Sequence, residues 1–318
     1  MRRSTWPTAP PGNADRGSER DEVRVGFIGL GVMGKPMARH LLGAGFPLRV
    51  HSRSSQPVDD LVAEGATRAS SPADVAAFSD AVITMVPDTP DAELVLFGEH
   101  GVADGAASGS LLIDMSTIDP LATREFAERL AEHGVAMLDA PVSGGQEGAE
   151  AATLSIMVGG PDEAFERARP LFEAMGSTIV HVGPSGAGQV TKACNQLVIA
   201  SAVEAVGEAF VLAAKAGVDP ARVREALLGG FAGSKVLELH GQRMLDGAFE
   251  PGFRSALMAK DGRIVLEAAE RLGAPVPGFR AVAERLDAML PAGRGDLDYA
   301  ALVTLLEDEA GVSLHEEP

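Results

Sequence analysis

The fold is decided by the stretch Val23-Arg-Val-Gly-Phe-Ile-Gly29-Leu-Gly31-Val-Met-Gly34-Lys-Pro-Met-Ala-Arg-His-Leu-Leu42. Its first part is an apolar run typical of a strand, its last part has the spacing of an amphipathic helix, and a G-x-G-x-x-G loop joins them. At such a junction the glycines permit a tight turn, a close approach of the backbone to a pyrophosphate, and close helix–strand packing, in that order. The stretch therefore predicts a dinucleotide-binding loop, formed by Gly29, Leu30, Gly31, Val32, Met33 and Gly34.

The pattern of the remaining chain changes near Gly183. Before it, short apolar runs alternate with helical segments, which predicts an α/β fold with a mainly parallel, doubly wound sheet of the Rossmann type. Asp139–Gly148 is rich in Gly, Pro and Ser, so we expect a loop there. After Gly183 the pattern is helical, beginning with one long apolar helix over Gly186–Ala216. We predict a Rossmann-type domain over residues 22–185 and, joined by that helix, an all-α domain over residues 186–318.

Composition limits the partners. The 318 residues carry 27 basic and 45 acidic side chains, and the net charge of −18 argues against nucleic acid or an anionic membrane as a partner. We find no apolar run long enough to span a bilayer and no metal-ligand pattern, and residues 1–21 have the composition of a disordered extension without a secretion signal. The single cysteine, Cys194, excludes an internal disulfide, is expected to pack inside, and favours a cytoplasmic protein.

The end of the second predicted strand indicates which nicotinamide cofactor is used. An enzyme specific for NAD places an acidic residue there to bind the ribose 2′-hydroxyl. This chain has His51-Ser52-Arg53-Ser54, and its next carboxylate is Asp59. An arginine with two hydroxyls suits a 2′-phosphate, so NADP(H) is favoured over NAD(H), which stays possible. An exposed arginine with no ligand is the alternative.

Two further strand ends and one glycine-rich loop are candidate ligand contacts. In an open α/β sheet, ligands lie beyond the carboxyl ends of the strands. We therefore expect Val86, Pro87 and Thr117 to border the cofactor, although plain packing explains Val86 and Pro87 nearly as well, and Ser116 to offer its hydroxyl to a substrate oxygen. Ser143-Gly144-Gly145 can hold a carboxylate with backbone N–H groups and a hydroxyl. A tight turn that needs glycine is the competing interpretation.

Lys192 and Asn195 lie three residues apart near the start of the long helix, which places them on one helix face. A lysine in an enclosed pocket can give or take a proton, because loss of hydration lowers its pKa toward neutrality. A solvated surface lysine is the alternative, and the glycine loop upstream favours the catalytic interpretation.

Together these elements resemble the β-hydroxyacid dehydrogenase family. The resemblance rests on the glycine loop, on Asp139-Ala-Pro-Val-Ser143-Gly144-Gly145, on Gly186-x-Gly188-x-x-x-Lys192-x-x-Asn195, and on the late Phe253 and Lys260-Asp261. It spans roughly residues 23–305, in the family's order. The chain departs from the family pattern in three places: Ala152 replaces a usual glycine, Gly262 replaces a usual leucine, and Gln-Glu-Gly follows Gly145. The last leaves the preferred substrate open.

The resemblance implies a fold, an activity and residue roles. It implies NADPH-dependent reduction of a small carboxylate-bearing aldehyde, with tartronate semialdehyde to glycerate favoured because of the likeness around Asn195-Gln196 and Gly229-Gly230. Lys192 would be the general acid or base and Asn195 its orienter; Ser116, Ser143, Gly144 and Gly145 would bind the carboxylate, and Lys260 would contact the cofactor. The alternatives are a 3-hydroxyisobutyrate-type dehydrogenase, a glyoxylate or succinic semialdehyde reductase, an imine reductase, and a nonenzymatic dinucleotide-binding scaffold. The long apolar helix needs burial on most sides, so we expect a homodimer or homotetramer.

Overall fold

The computed structural model describes residues 23–315, so the predicted extension over residues 1–21 lies outside the described residues. The chain divides into two compact units that meet in sequence between Lys192 and Ala193.

A nine-stranded sheet forms the centre of the first unit, in the order β3-β2-β1-β4-β5-β6-β8-β7, with β9 beside β8. From β3 to β6 all neighbours are parallel, β8 runs antiparallel to β6 and β7, and β9 is parallel to β8. This confirms the predicted doubly wound sheet. The strands are β1 Val25–Ile28, β2 Leu48–His51, β3 Thr67–Arg68, β4 Ala81–Thr84, β5 Leu111–Asp114, β6 Ala136–Asp139, β7 Val142–Ser143, β8 Leu154–Gly159 and β9 Gly176–Gly183.

Helices cover both faces of this sheet. Successive side chains on a strand point to opposite faces, so Phe27 and Ile83 enter one apolar layer while Ile28 and Val82 enter the other. Strands buried on both faces have continuous apolar sequences, which is why β1, β4 and β5 are recognisable in the sequence. The helices are α1 Gly34–Gly43, α2 Ser55–Ala63, α3 Pro72–Phe78, α4 Thr89–Phe97, α5 Val102–Gly105, α6 Pro120–Glu132, α7 Gly145–Glu150 and α8 Asp162–Glu173.

The expected loop over Asp139–Gly148 is wrong. Val142–Ser143 forms β7, paired with β8, and Gly145–Glu150 forms α7. Gly144 and Gly145 have φ values of 130° and 61°, so the glycines make the sharp turn from strand to helix rather than a long loop. Within α7, the Gln146 amide donates to the Glu150 carboxylate four residues later, at 2.8 Å. Composition alone does not reveal either the strand pairing or this local support.

The second unit is all-α, as predicted, and over residues 193–315 it contains no strand, only an isolated bridge between Arg254 and Asp298. Its apolar cluster includes Phe210, Leu237 and Leu286. α9 begins in the first unit and continues into the second. The elements are α9 Ala187–Lys215, α10 Pro220–Leu228, α11 Lys235–Asp246, α12 Ser255–Leu272, α13 Pro277–Ala288, the 3₁₀ turn Tyr299–Leu302 and α14 Val303–Ala310.

Two expectations about α9 need correction. By length and composition alone this helix could cross a membrane, contrary to the sequence analysis, although Ala200, Val203 and Phe210 are completely buried and belong to the apolar core of the second unit. Cys194, expected to pack inside, is exposed. Residues two apart on a helix point to nearly opposite sides, and it is Lys192 and Gln196 that are buried.

Candidate active site

The glycine loop joins β1 to α1 with little room to spare. Gly29 has a φ of 98°, and a Cβ there would lie 2.2 Å from the carbonyl oxygen of Met85. A Cβ on Gly34 would lie 1.9 Å from the carbonyl oxygen of Gly29. Both distances are far below van der Waals contact and involve backbone, so the first and third glycines are required by the fold itself.

Gly31 differs from its two neighbours in the motif. It is exposed, and no described atom lies within 4 Å of the Cβ that a larger residue would carry. Among the described residues, no side chain caps the N-terminus of α1 either. A helix N-terminus with open backbone N–H groups favours an anion, and a glycine that the protein does not need for packing fits a phosphate approaching the backbone. The loop therefore fits the pyrophosphate of a dinucleotide.

The end of β2 lies against this loop. The Leu30 N–H donates to the Ser52 hydroxyl at 3.4 Å. The Arg53 side chain is 78% exposed and its Nη1 lies 3.1 Å from the Asp91 carboxylate on α4. The nearest carboxylates along the chain, Asp59 and Asp60, already pair with Arg68 and Lys35, and hydrogen bonding from Lys35 lowers the pKa of Asp60.

Ser116 occupies a different position from the one expected. Its side chain is completely buried; its hydroxyl donates to Asp114 Oδ1 at 2.7 Å and accepts the Val86 N–H at 2.9 Å. Thr84 donates to the same Asp114 oxygen. The single hydroxyl proton of Ser116 thus goes to Asp114, and this arrangement does not support Ser116 as a donor to a substrate. Val86 and Thr117 are half-buried and Pro87 is exposed, all at the carboxyl edge of the sheet.

Ser143, Gly144 and Gly145 link β7 to α7. Ser143 is half-buried and both glycines are exposed. The helix they start lies next to α1, since the His40 imidazole Nε2 is 2.9 Å from the carbonyl oxygen of Glu150. The positive φ of both glycines supports the turn interpretation of their identity, and carboxylate binding by this loop stays a prediction.

The first turn of α9 is seated on the same sheet edge. Gly186 has a φ of 86°, and a Cβ on Gly188 would lie 2.4 Å from the carbonyl oxygen of Met157. The buried side chain of Gln189 donates to the Ser116 carbonyl at 2.7 Å and accepts the Ile118 N–H at 3.2 Å. Lys192 follows one turn later and is 8% exposed. The glycines thus let the helix approach, and Gln189 ties it to the end of β5.

Sequence reasoning missed two residues of this edge. Asp139, at the end of β6, accepts the Gly186 N–H at 2.7 Å and the Gln189 N–H at 2.9 Å. Gln189 makes the contacts just described. The sequence shows an acidic residue at the end of a predicted strand and, much later in the chain, a glycine-rich helix start. No sequence pattern indicates that these two segments are in contact.

A chain of polar contacts in the second unit connects other predicted residues. Asn195 Nδ2 donates to Gln196 Oε1 at 2.8 Å, and Gln196 Nε2 donates to Asp261 Oδ2 at 2.5 Å. Lys260 Nζ lies 2.7 Å from Asp261 Oδ1, and Asp261 is buried. Asn195 and Lys260 are therefore linked through Gln196 and Asp261, while a contact of Lys260 with a cofactor stays a prediction.

Comparison with known proteins identifies the family. Residues 24–183 match the model of the NAD binding domain of 6-phosphogluconate dehydrogenase, and residues 186–306 match the model described as the NAD-binding domain of NADP-dependent 3-hydroxyisobutyrate dehydrogenase. The chain is 46% identical to the 2-hydroxy-3-oxopropionate reductase of Escherichia coli (strain K12), over 90% of this chain and 97% of that one. The chain belongs to the β-hydroxyacid dehydrogenase family.

Other relatives agree with this assignment. The 3-hydroxyisobutyrate dehydrogenase of Pseudomonas aeruginosa is 38% identical over 88% of this chain and 97% of its own length. The solved structure of Mycobacterium tuberculosis 3-hydroxyisobutyrate dehydrogenase with L-serine superimposes with a TM-score of 0.83, at 36% identity, covering 90% of this chain and 99% of that one. This β-hydroxyacid dehydrogenase is a nicotinamide-dependent oxidoreductase that acts on the CH–OH group of small hydroxy acids or on the corresponding oxo acids.

Proposed function

We propose that this enzyme reduces the aldehyde group of a small 3-oxo acid, with tartronate semialdehyde to glycerate as the favoured reaction. The proposal rests on the position of Lys192. This lysine is buried one turn after the start of α9, which is hydrogen-bonded to the same sheet edge that carries the glycine loop. The substrate is favoured by the 46% identity with the E. coli reductase and by Gln196 beside Asn195.

The residues divide the chemistry between them. A bound nicotinamide supplies the hydride to the carbonyl carbon. Lys192 donates a proton to the carbonyl oxygen as negative charge develops there, and accepts it in the oxidation direction. Asn195 lies one turn further along the same face of α9 and orients the oxygen. The backbone N–H groups at Ser143, Gly144 and Gly145 hold the carboxylate at the other end of the substrate.

Replacing Lys192 by methionine tests the proton transfer. General acid catalysis is worth about 10²–10⁴ in rate, so kcat should fall by that factor while NADPH binding, measured by nucleotide fluorescence, stays within about threefold of the wild-type value. Methionine keeps the length of the side chain and removes the ammonium group. An unchanged kcat would exclude Lys192 as the proton donor.

The substrate is tested by steady-state kinetics with tartronate, succinic and methylmalonic semialdehydes. We expect the highest kcat/KM for tartronate semialdehyde. A preference above tenfold for methylmalonic semialdehyde would make the enzyme a 3-hydroxyisobutyrate-type dehydrogenase instead. The similarity to the P. aeruginosa dehydrogenase is the reason for including this substrate. A preference above tenfold for succinic semialdehyde would make it a succinic semialdehyde reductase.

We also propose that NADPH is preferred to NADH, because Arg53 is exposed at the end of β2 and the two nearest carboxylates on α2 are paired. Arg53→Ala should raise the KM for NADPH about tenfold or more and leave that for NADH within about twofold, since a charge-assisted hydrogen bond to the 2′-phosphate is lost.

The matched variant is Asp91→Ala, which removes the partner of Arg53. An exposed ion pair is worth under about 1 kcal/mol, so this variant should lower the KM for NADPH by no more than about fivefold. Equal effects of Arg53→Ala on both cofactors would contradict the proposal.

A further inference from the structure

Asp139 holds the start of α9 at two points. Its side chain is 1% exposed, and each carboxylate oxygen accepts a backbone N–H, Oδ1 from Gly186 at 2.7 Å and Oδ2 from Gln189 at 2.9 Å. Open backbone donors and the helix dipole both favour a negative charge at a helix N-terminus. The carboxylate therefore bridges the end of β6 to the first turn of α9.

The surrounding backbone leaves this turn no room to move toward the sheet. A Cβ on Gly188 would lie 2.6 Å from the carbonyl oxygen of Asp139, and a Cβ on Gly159 would lie 2.6 Å from Asp139 Oδ1. Helix and strand thus pack against Asp139 more closely than any side chain would permit. A shift of the turn in the opposite direction breaks the two hydrogen bonds.

We propose that Asp139 is a positioning residue for proton transfer. It fixes the first turn of α9 along and about the helix axis, and thereby fixes the position of Lys192. The inference rests on the proposed role of Lys192. Lys192 follows Gln189 by three residues on a helix that rises about 1.5 Å per residue, so a displaced Gln189 amide displaces Lys192 with it. A misplacement of about 1 Å in a catalytic group costs about 10² in rate.

The charge of Asp139 gives this role a pH dependence. Burial raises its pKa to about 6, the hydrogen bonds from Gly186 and Gln189 oppose the rise, and the nearby carboxylate of Asp114 on β5 adds to it. The side chains of β8 are uncharged, the first ionisable residue of α9 is Lys192, three residues after Gln189, and Arg124 of α6 lies beside Gly186. As the pH falls through about 6, protonation removes the charge that both N–H groups bind. The turn then loosens and turnover falls.

The contribution of Asp139 to stability has the opposite pH dependence to its effect on turnover. The folded pKa of Asp139 is raised above the usual value of 3.8 for an aspartate, so the folded chain takes up a proton between about pH 6 and pH 4 that the unfolded chain does not. The contribution of this residue to the free energy of unfolding is therefore fully present below about pH 4 and is lost as the pH rises through about 6. Between about pH 6 and pH 4, a falling pH therefore raises the contribution of Asp139 to stability while it lowers activity. A carboxylate with a purely structural role would not lower activity in this range.

The test compares Asp139→Asn with Asp219→Asn, which removes the charge of a helix-capping carboxylate at the start of α10 in the second unit. Asparagine keeps the shape but accepts on one side only. We expect Asp139→Asn to lower kcat about 10²-fold with the KM for NADPH within about threefold, and to abolish an acid limb near pH 6 that the wild-type enzyme shows. Asp219→Asn should retain both kcat and the acid limb. A kcat of Asp139→Asn within threefold of wild type, or an acid limb common to both variants, would overturn the proposal.

Hydrogen exchange of the peptide covering residues 186–192 provides a readout that needs no turnover. Exchange should rise about tenfold or more in Asp139→Asn, and in the wild-type protein at pH 5 relative to pH 7 after correction for intrinsic rates. Unchanged exchange in the wild-type protein overturns the proposal even if the variant does not fold. Should the wild-type chain reduce none of the aldehydes, the proposed function fails, and exchange alone then decides whether Asp139 holds the turn that carries Lys192.

Discussion

At the scale of single residues, the three glycines of the nucleotide loop have separable causes. Gly34 is required by the carbonyl oxygen of Gly29, 1.9 Å from its Cβ position, and Gly29 by that of Met85. Gly31 has open space around it and no positive φ. The glycine motif is thus partly a packing constraint and partly a ligand constraint, and only the structure assigns each glycine to its cause.

Alanine at these positions separates stability from cofactor binding. Gly34→Ala forces backbone apart and should lower the free energy of unfolding by at least about 2 kcal/mol. Gly31→Ala should leave stability unchanged or raise it by up to about 1 kcal/mol, because it reduces the freedom of the unfolded chain at a compatible position. It should nevertheless weaken NADPH binding at least tenfold, since the methyl group occupies the space for the pyrophosphate. Urea unfolding and fluorescence titration measure the two effects, and tight NADPH binding by Gly31→Ala would show that the phosphates lie elsewhere.

Ala152 illustrates a departure that the structure explains in part. The family resemblance expects glycine there, and Ala152 has a φ of 55°, in the region that favours glycine. The alanine therefore adopts a left-handed backbone conformation at some cost in strain, in the turn that leads into β8.

At the scale of elements, the sequence identified those whose burial leaves a periodic signal. β1, β4 and β5 are continuous apolar runs, and α3 and α6 begin with proline after a capping Ser71 or Asp119. The sequence pattern does not reveal α2, α4 and α5, three helices of nine residues or fewer, and it does not reveal α7 because glycine is ambiguous between a turn and a loop.

The site could be predicted only as far as its local motifs. The glycine loop, Lys192 and the end of β2 carry recognisable residues close together in sequence. The bridges from Gln189 to Ser116 and from Asp139 to Gly186 join segments that are 73 and 47 residues apart, so no local pattern contains them. The sequence suggests Ser116 as a substrate donor because the strand end does not show that its hydroxyl donates to Asp114 and accepts the N–H of Val86, 30 residues away.

At the scale of the whole molecule, the net charge of −18 opposes the binding of anions. We therefore expect local donors to hold the dinucleotide and the carboxylate of the substrate, and we propose the open start of α1, the exposed Arg53 and the loop at Ser143 as these donors. Repulsion between copies of an acidic chain also means that any association has to rest on apolar area.

The long apolar helix offers such area, and we propose that copies of this chain associate through it. Only 39% of the most apolar 18-residue window of α9 is buried, and Val198 and Leu212 are 63% and 71% exposed. Leu212→Glu should lower the mass measured by light scattering toward that of a single chain, because the charge would have to be buried in the contact. Leu94→Glu, on α4 of the first unit and 67% exposed, is the matched control and should leave the mass unchanged. A wild-type protein that is already monomeric at micromolar concentration would contradict the association, and a drop in mass for both variants would place the contact outside α9.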